Sequence, residues 1–167
     1  RIAGLDQHFG RVAVLPLRTA GSAAGMLLPR RAKLVLRLPA ALAGKVEALA
    51  GRELDLGDSP LRLGAGRLRE IQPYPTIHAH LVVGTEDEVA FMTDVSADLA
   101  ALGITASLIC GRRNSLVDGD RGIHGFSLVI HDLKPEDSLR LLYTGLGGER
   151  RYGCGVFVPY KVISDLY

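Results

Sequence analysis

Apolar positions recur along this chain in two rhythms, and the switches between them mark out its elements. Arg11–Leu17 (RVAVLPL) is a short apolar run interrupted by Pro16, which predicts an edge strand or extended segment. Thr19–Gly25 is small and glycine-rich and reads as a loop. Ala32–Leu38 (AKLVLRL) alternates with period two, as a strand does. Pro39 then opens a short alanine-rich helix over Ala40–Ala50, which Gly51 stops. Arg52–Leu56 and Leu61–Leu68, joined by Gly57-Asp58-Ser59-Pro60, read as a strand pair.

Gln72-Pro73-Tyr74-Pro75 interrupts both rhythms and predicts a boundary, with one domain over residues 1–72 and a second over 73–167. A new strand follows at Thr76–Val83. Asp87–Leu102 predicts an amphipathic helix ended by Gly103, with Val89, Met92, Val95, Leu99 and Leu102 on its apolar stripe. Thr105–Cys110 reads as a strand, the polar Gly111–Gly122 as a hairpin loop, and Ile123–Ile130 as a strand. Lys134-Pro135-Glu136-Asp137 starts a helix running to Tyr143, with proline and acids in its first turn. Gly155–Ile163 closes as a strand. Strand, helix, strand, strand, helix, strand is the order of a split βαβ unit. The fold class expected is α+β, as tandem ferredoxin-like (RRM-like) domains of which the first is incomplete or degenerate.

Composition permits a core, at 47% hydrophobic and 23% charged, and excludes a disordered chain. Formal net charge is only +2, yet the halves differ. Residues 1–70 hold 12 Lys+Arg against 6 Asp+Glu, whereas residues 71–167 hold 8 against 12. Most of the cations are arginine, whose planar fork suits phosphate. Tryptophan is absent and aromatics are 5%, so a nucleic-acid partner would be held by cations and amides more than by stacking. Cys110 and Cys154 are too few for a disulfide framework and lack zinc spacing, so a reducing cytoplasm is expected. No apolar run reaches the length of a membrane span. No signal peptide is visible, and the chain starts at Arg1, not Met.

The densest chemical signal is Gly145-Leu146-Gly147-Gly148-Glu149-Arg150-Arg151-Tyr152-Gly153-Cys154-Gly155, five glycines among eleven residues with two adjacent arginines. Glycine permits close backbone approach and positive φ, exposed amides can cradle phosphate, and arginine adds charge-assisted hydrogen bonds. No Gly-Lys-Ser/Thr closes the segment, so it is not a Walker loop. A helix precedes it and a strand follows, the reverse of a dinucleotide loop. The alternative is a plain glycine-rich turn.

Together with Glu136-Asp137-Ser138-Leu139-Arg140 before it and Val156-Phe157 after it, this segment resembles the C-terminal signature of CRISPR-associated repeat-processing endoribonucleases, notably a small Cascade-associated type I branch. The resemblance is specific over residues 112–162, architectural over 32–102, and poor before Arg31. It implies binding of a CRISPR repeat stem-loop and metal-independent cleavage at its 3′ base. In that reaction the RNA's own 2′-hydroxyl attacks the neighbouring phosphate, without a cofactor or metal. It implies, too, that the enzyme stays on its product among the other subunits of Cascade.

Such a reaction needs proton carriers, and histidine titrates in the right range. His8, in a polar loop of the region where the family's catalytic histidine lies, is the first candidate and His124, beside the 111–122 hairpin, the second. His78 and His80 alternate on one strand without a third metal ligand in view, and His131 stands beside Asp132 at a helix entry. The RNA-binding set comprises Arg112, Arg113 and Arg121 of the hairpin, Gly145, Gly147, Gly148, Arg150, Arg151, Tyr152, Gly153 and Gly155 of the loop, and Lys161. Cys154, between two glycines, is expected to pack inward. Two other readings stand beside this one: a non-catalytic RNA-binding subunit, and a regulatory domain for a small phosphorylated metabolite.

Overall fold

The structure is a computed structural model and describes residues 12–17, 20–22, 25–55 and 60–160. It divides into two compact units, Arg1–Glu70 and Ile71–Tyr167. The architecture is α+β, with antiparallel sheets and few helices. Among the described residues no helix is long and apolar enough to cross a membrane.

In the first unit β1 (Ala13–Val14), β2 (Ala20–Ser22), β3 (Gly25–Leu27) and β4 (Leu36–Arg37) precede a 3-10 turn at Ala40–Leu42 and helix α1 (Ala43–Glu47). β5 (Glu53–Asp55) and β6 (Pro60–Arg62) follow. β1 pairs with β4, β2 with β3, and β5 with β6, each an antiparallel ladder of two strands among the described residues. A small cluster of Val12, Leu42 and Leu49 is its core. Here the sequence expectation needs correcting twice. Thr19–Gly25, expected as loop, contributes to the β2–β3 hairpin, since small residues permit close pairing as readily as a loop. The Ala32–Leu38 strand shrinks to two residues, because among the described residues only β1, itself cut short near Pro16, pairs with it.

The second unit runs β7 (Ile77–Val83), α2 (Glu88–Ala101), β8 (Ser107–Asp118), β9 (Arg121–His131), α3 (Pro135–Thr144) and β10 (Val158–Pro159). Its four strands lie in the order β10-β7-β9-β8, every neighbour antiparallel. Ile77, Ala79, Val82, Phe126, Leu128 and Ile130 of the sheet bury against Phe91, Val95 and Leu99 of α2 and Leu141 and Leu142 of α3. α2 starts because the Asp87 carboxylate accepts the Ala90 amide at 2.8 Å, a cap contributing about 1 kcal/mol. α3 starts with Pro135 at its first turn beside Glu136 and Asp137.

The apolar stripe of α2 is rotated from the predicted one. Val89 is 75% exposed, and Phe91 takes the buried place, its ring centroid 5.0 Å from that of Phe126. The larger ring gains more by burial, so it fixes the helix phase. A second correction concerns residues 111–122. They are not a loop: β8 and β9 continue as a ladder to Asp118↔Arg121, closed by the two-residue turn Gly119-Asp120. Gly119 supplies φ +59, as a type II′ turn requires at its first position. The polar residues are there because β8 is an edge strand. A third is the closing strand, of which only Val158–Pro159 pairs; Pro159 has no N–H to extend the ladder. Positions 161–163 lie outside the described residues.

Two register shifts fall at the same level of the sheet, between Ala79 and Val82 of β7 and between Cys110 and Arg113 of β8, on either side of β9. Bulges bend strands and increase their twist. Beyond them the strands close up at Gly125, where an added β-carbon would stand 1.8 Å from the Val82 carbonyl oxygen. A separate small cluster, Leu81, Ile123 and Cys154 with Val83, Leu116 and Tyr152, anchors the glycine-rich segment to this bent end of the sheet.

Candidate nucleic-acid interface

Most of the glycines at residues 145–155 serve the chain's packing on itself. The Gly145 amide donates to Leu141 at φ +68 and ends α3. Leu146 N–H donates to the Gly155 carbonyl at 3.1 Å, and Gly155 N–H to Leu81 of β7 at 2.7 Å. A β-carbon at Gly155 would lie 1.8 Å from the Leu146 carbonyl oxygen, and one at Gly145 2.4 Å from that of Gly155. Only hydrogen leaves room where these two segments cross. Gly153, Cys154 and Gly155 are buried, and burial, with Glu149 nearby, pushes the Cys154 thiol up to about 11. It stays protonated at neutral pH, in keeping with a packing role.

The tip of the segment is different. Gly147 and Gly148 are exposed, and among the described residues their amides meet no hydrogen-bond acceptor. A short 3-10 turn, Arg150–Tyr152, follows. Its two arginines do not present a matched pair. Arg150 is half-buried, donates to the Thr144 carbonyl, and leaves its Nε without a partner among the described residues; burial lowers its pKa. Arg151 is exposed, lies 4.8 Å over the Tyr152 ring, and has its Nε 3.8 Å from the Glu149 carboxylate. Tyr152 in turn donates its hydroxyl to Asp118 at the end of β8, a bond that raises the phenol's pKa. Arg121, opening β9, pairs with Glu149. The β8–β9 hairpin and the glycine segment are thus fastened at two points.

Between them lies a groove of about 360 Å³, at the small end of ligand clefts, lined by Val83–Glu86, Arg121–His124 and Gly148-Glu149. It brings two expected site residues of β9, Arg121 and His124, together with a third that is distant in sequence, Gly148. Sequence reasoning missed its other wall, the β7–α2 connection Gly84-Thr85-Glu86, and missed Glu149. A lone carboxylate inside an arginine- and glycine-rich segment was the available signal. Gly84 N–H donates to the His124 carbonyl at 3.1 Å, which ties that wall to β9. The imidazole of His124 is exposed and lies above Gly122.

The remaining candidates are dispersed. Arg113 pairs with Glu86 at 2.7 Å across the top of the sheet, while Arg112 is exposed and has no ion-pair partner among the described residues. His131 Nδ1 lies 2.9 Å from the Asp132 carboxylate, which also accepts the Ser107 hydroxyl. His78 is half-buried on β7 with its ring 5.6 Å from that of Tyr160. Burial, with His80 nearby, lowers its pKa. Among the described residues no group of three or more His, Cys, Asp or Glu is gathered as a metal site. His8 and Lys161 lie outside the described residues.

What this arrangement offers chemically is one imidazole, the Arg121 guanidinium and the open amide of Gly148 around a single groove among the described residues. A protein-family model described as Cas6 Crispr matches residues 3–162 of the chain. Over 150 residues, 89% of the chain, the sequence is 35% identical to the CRISPR-associated endonuclease Cas6 of Myxococcus xanthus, and it spans 65% of that protein's length.

Proposed function

The chain belongs to the Cas6 family, and from that premise we propose that it binds CRISPR repeat RNA and cleaves it with the groove at His124. One observation carries this reading: His124 and Arg121 of β9 and the open amide of Gly148, from the glycine-rich segment, line one groove. A phosphodiester held by Arg121, Arg151 and the amides would lie beside the imidazole. Cations and amides there would stabilise the charge of a pentavalent phosphorus, and His124 would move a proton to or from an RNA oxygen. The reaction proposed is attack of the substrate's 2′-hydroxyl on the adjacent phosphate. It leaves a 2′,3′-cyclic phosphate and a 5′-hydroxyl, with no metal taking part.

Two proton transfers are needed, and among the described residues the groove has one imidazole. We assign the other transfer to His8. Arg112 and Arg113 on the edge strand would contact phosphates of the stem, whose deep major groove favours reading of shape over base edges. Arg150, Tyr152 and Lys161 would support that contact, with Gly145, Gly153 and Gly155 shaping the loop. The fold proposed is two ferredoxin-like domains in tandem, residues 1–72 and 73–167, and the protein would act in the cytoplasm, staying on its product beside other Cascade subunits.

That the groove has one imidazole among the described residues also favours a second reading, a non-catalytic subunit that holds repeat-derived RNA. Incubating a repeat hairpin with the protein in excess chelator and identifying the product ends separates the two. A cyclic phosphate supports the enzyme; bound but intact RNA supports the holder.

A further inference from the structure

Five positions between Gly145 and Gly155 have positive φ. Four are glycine, and the fifth is Glu149 at φ +62. Side chains are disfavoured in that conformation, so a glutamate there is notable for what its side chain holds. Its carboxylate is only 17% exposed and stands between two guanidinium groups from different elements, Arg121 of β9 and Arg151 of the loop. Those groups are 56% and 43% exposed, and Arg121 lines the groove together with Glu149. By contrast the Arg113–Glu86 pair is exposed on both sides, the kind of contact that solvent weakens.

A carboxylate shared by two arginines offers them what a phosphate offers, negative charge and paired acceptor oxygens. Any phosphate arriving at Arg121 and Arg151 must therefore share them with Glu149 or displace it, and is repelled by it meanwhile. We infer that Glu149 is a specificity-determining residue, a resident competitor that keeps these two cations from binding polyanions in general. A ligand positioned by further contacts, such as the open amides of Gly147 and Gly148, can meet this competition; a loose strand cannot. Discrimination then comes from penalising the wrong partner as much as from favouring the right one. This inference rests on the RNA-binding reading above.

The test uses Glu149→Gln and Glu149→Gly in the full chain, with fluorescence-anisotropy titrations of polyuridylate and of a repeat hairpin across salt concentrations. Removing the carboxylate should raise polyuridylate affinity about tenfold at low salt and steepen its log–log salt slope by roughly 1 for each arginine released. The gain for the hairpin should be smaller, so the ratio between the two RNAs falls. Glu149→Gly should melt no lower than the wild type, since glycine suits φ +62. Adding Arg121→Ala to Glu149→Gln should cancel much of the polyuridylate gain. Unchanged or weaker polyuridylate binding in both variants, with the wild type still binding the hairpin, overturns the role of Glu149 alone. A wild type that binds neither RNA overturns the RNA reading and this inference with it.

Discussion

The imidazole of His124 rests over Gly122: a β-carbon at residue 122 would stand 2.7 Å from its Nε2 and 3.2 Å from its Cε1. The glycine's φ is not in the left-handed region, so alanine fits the backbone, and the ring must move instead. Gly122→Ala should therefore leave the melting temperature within a few degrees of wild type and slow RNA cleavage by about tenfold to a hundredfold, the usual penalty for displacing a catalytic group by an ångström. Single-turnover cleavage beside a thermal melt checks this. An unchanged rate would mean that the ring's position is not used.

Arg150 and Arg151 are neighbours in sequence with opposite surroundings, and their alanine variants should part accordingly. Arg150→Ala removes a half-buried side chain bonded to the Thr144 carbonyl and should lower the melting temperature. Arg151→Ala should leave stability within about 0.5 kcal/mol and reduce the magnitude of the repeat-hairpin salt slope by about 1. Melts and salt titrations of the two variants decide.

The glycines should sort in the same way. Gly155→Ala forces a β-carbon onto the Leu146 carbonyl at φ +65 and should cost about 3 kcal/mol or more in urea unfolding. At Gly148 an added β-carbon meets nothing within 4 Å and φ is not in the left-handed region, so Gly148→Ala should be nearly neutral in the same experiment.

These contrasts show how much was legible. The order of elements in the second unit followed from the strand runs at Thr76–Val83 and Ile123–Ile130, from the helix that Gly103 ends and from the helix that Pro135 opens. Glycine density correctly marked a special backbone, but not its cause. Density alone does not distinguish amides opened for a ligand from two strands of chain crossing, and here Gly145 and Gly155 serve the crossing while Gly147 and Gly148 are open. The 111–122 segment looked like a loop because an edge strand with one solvated face carries loop-like residues. The groove was out of reach because its walls meet through pairing of β7 with β9, and nothing local to Gly84-Thr85-Glu86 announces a partner 35 or more residues away.

Ser138, fully buried in α3, should be a hydroxyl on which the entry to the second unit depends. It accepts the Tyr74 amide at 2.9 Å and donates to the Tyr74 carbonyl at 2.7 Å, pinning the proline-flanked segment to the helix. Ser138→Ala should cost about 1–3 kcal/mol, because both backbone groups lose a partner near the core. Denaturant unfolding measures it.

His78 gives the fold a pH dependence. Its pKa in the folded chain lies below the ordinary 6.5, chiefly through burial. Between that lowered value and 6.5 the unfolded chain binds the proton first, so stability falls as pH drops through this window and levels off below it. Melting temperatures from pH 7.5 to 5 should decline, and His78→Gln should flatten the part of the decline that falls there. An equal decline in the variant would assign it to other groups.

The central claim is that the groove at His124 is where RNA is cut. Single-turnover cleavage of a labelled repeat hairpin by wild type and His124→Ala, with Kd measured on the same samples, tests it most directly. The expected result is a cleavage rate lower by about a hundredfold or more with Kd within about twofold. Cleavage at the wild-type rate by His124→Ala would contradict the account.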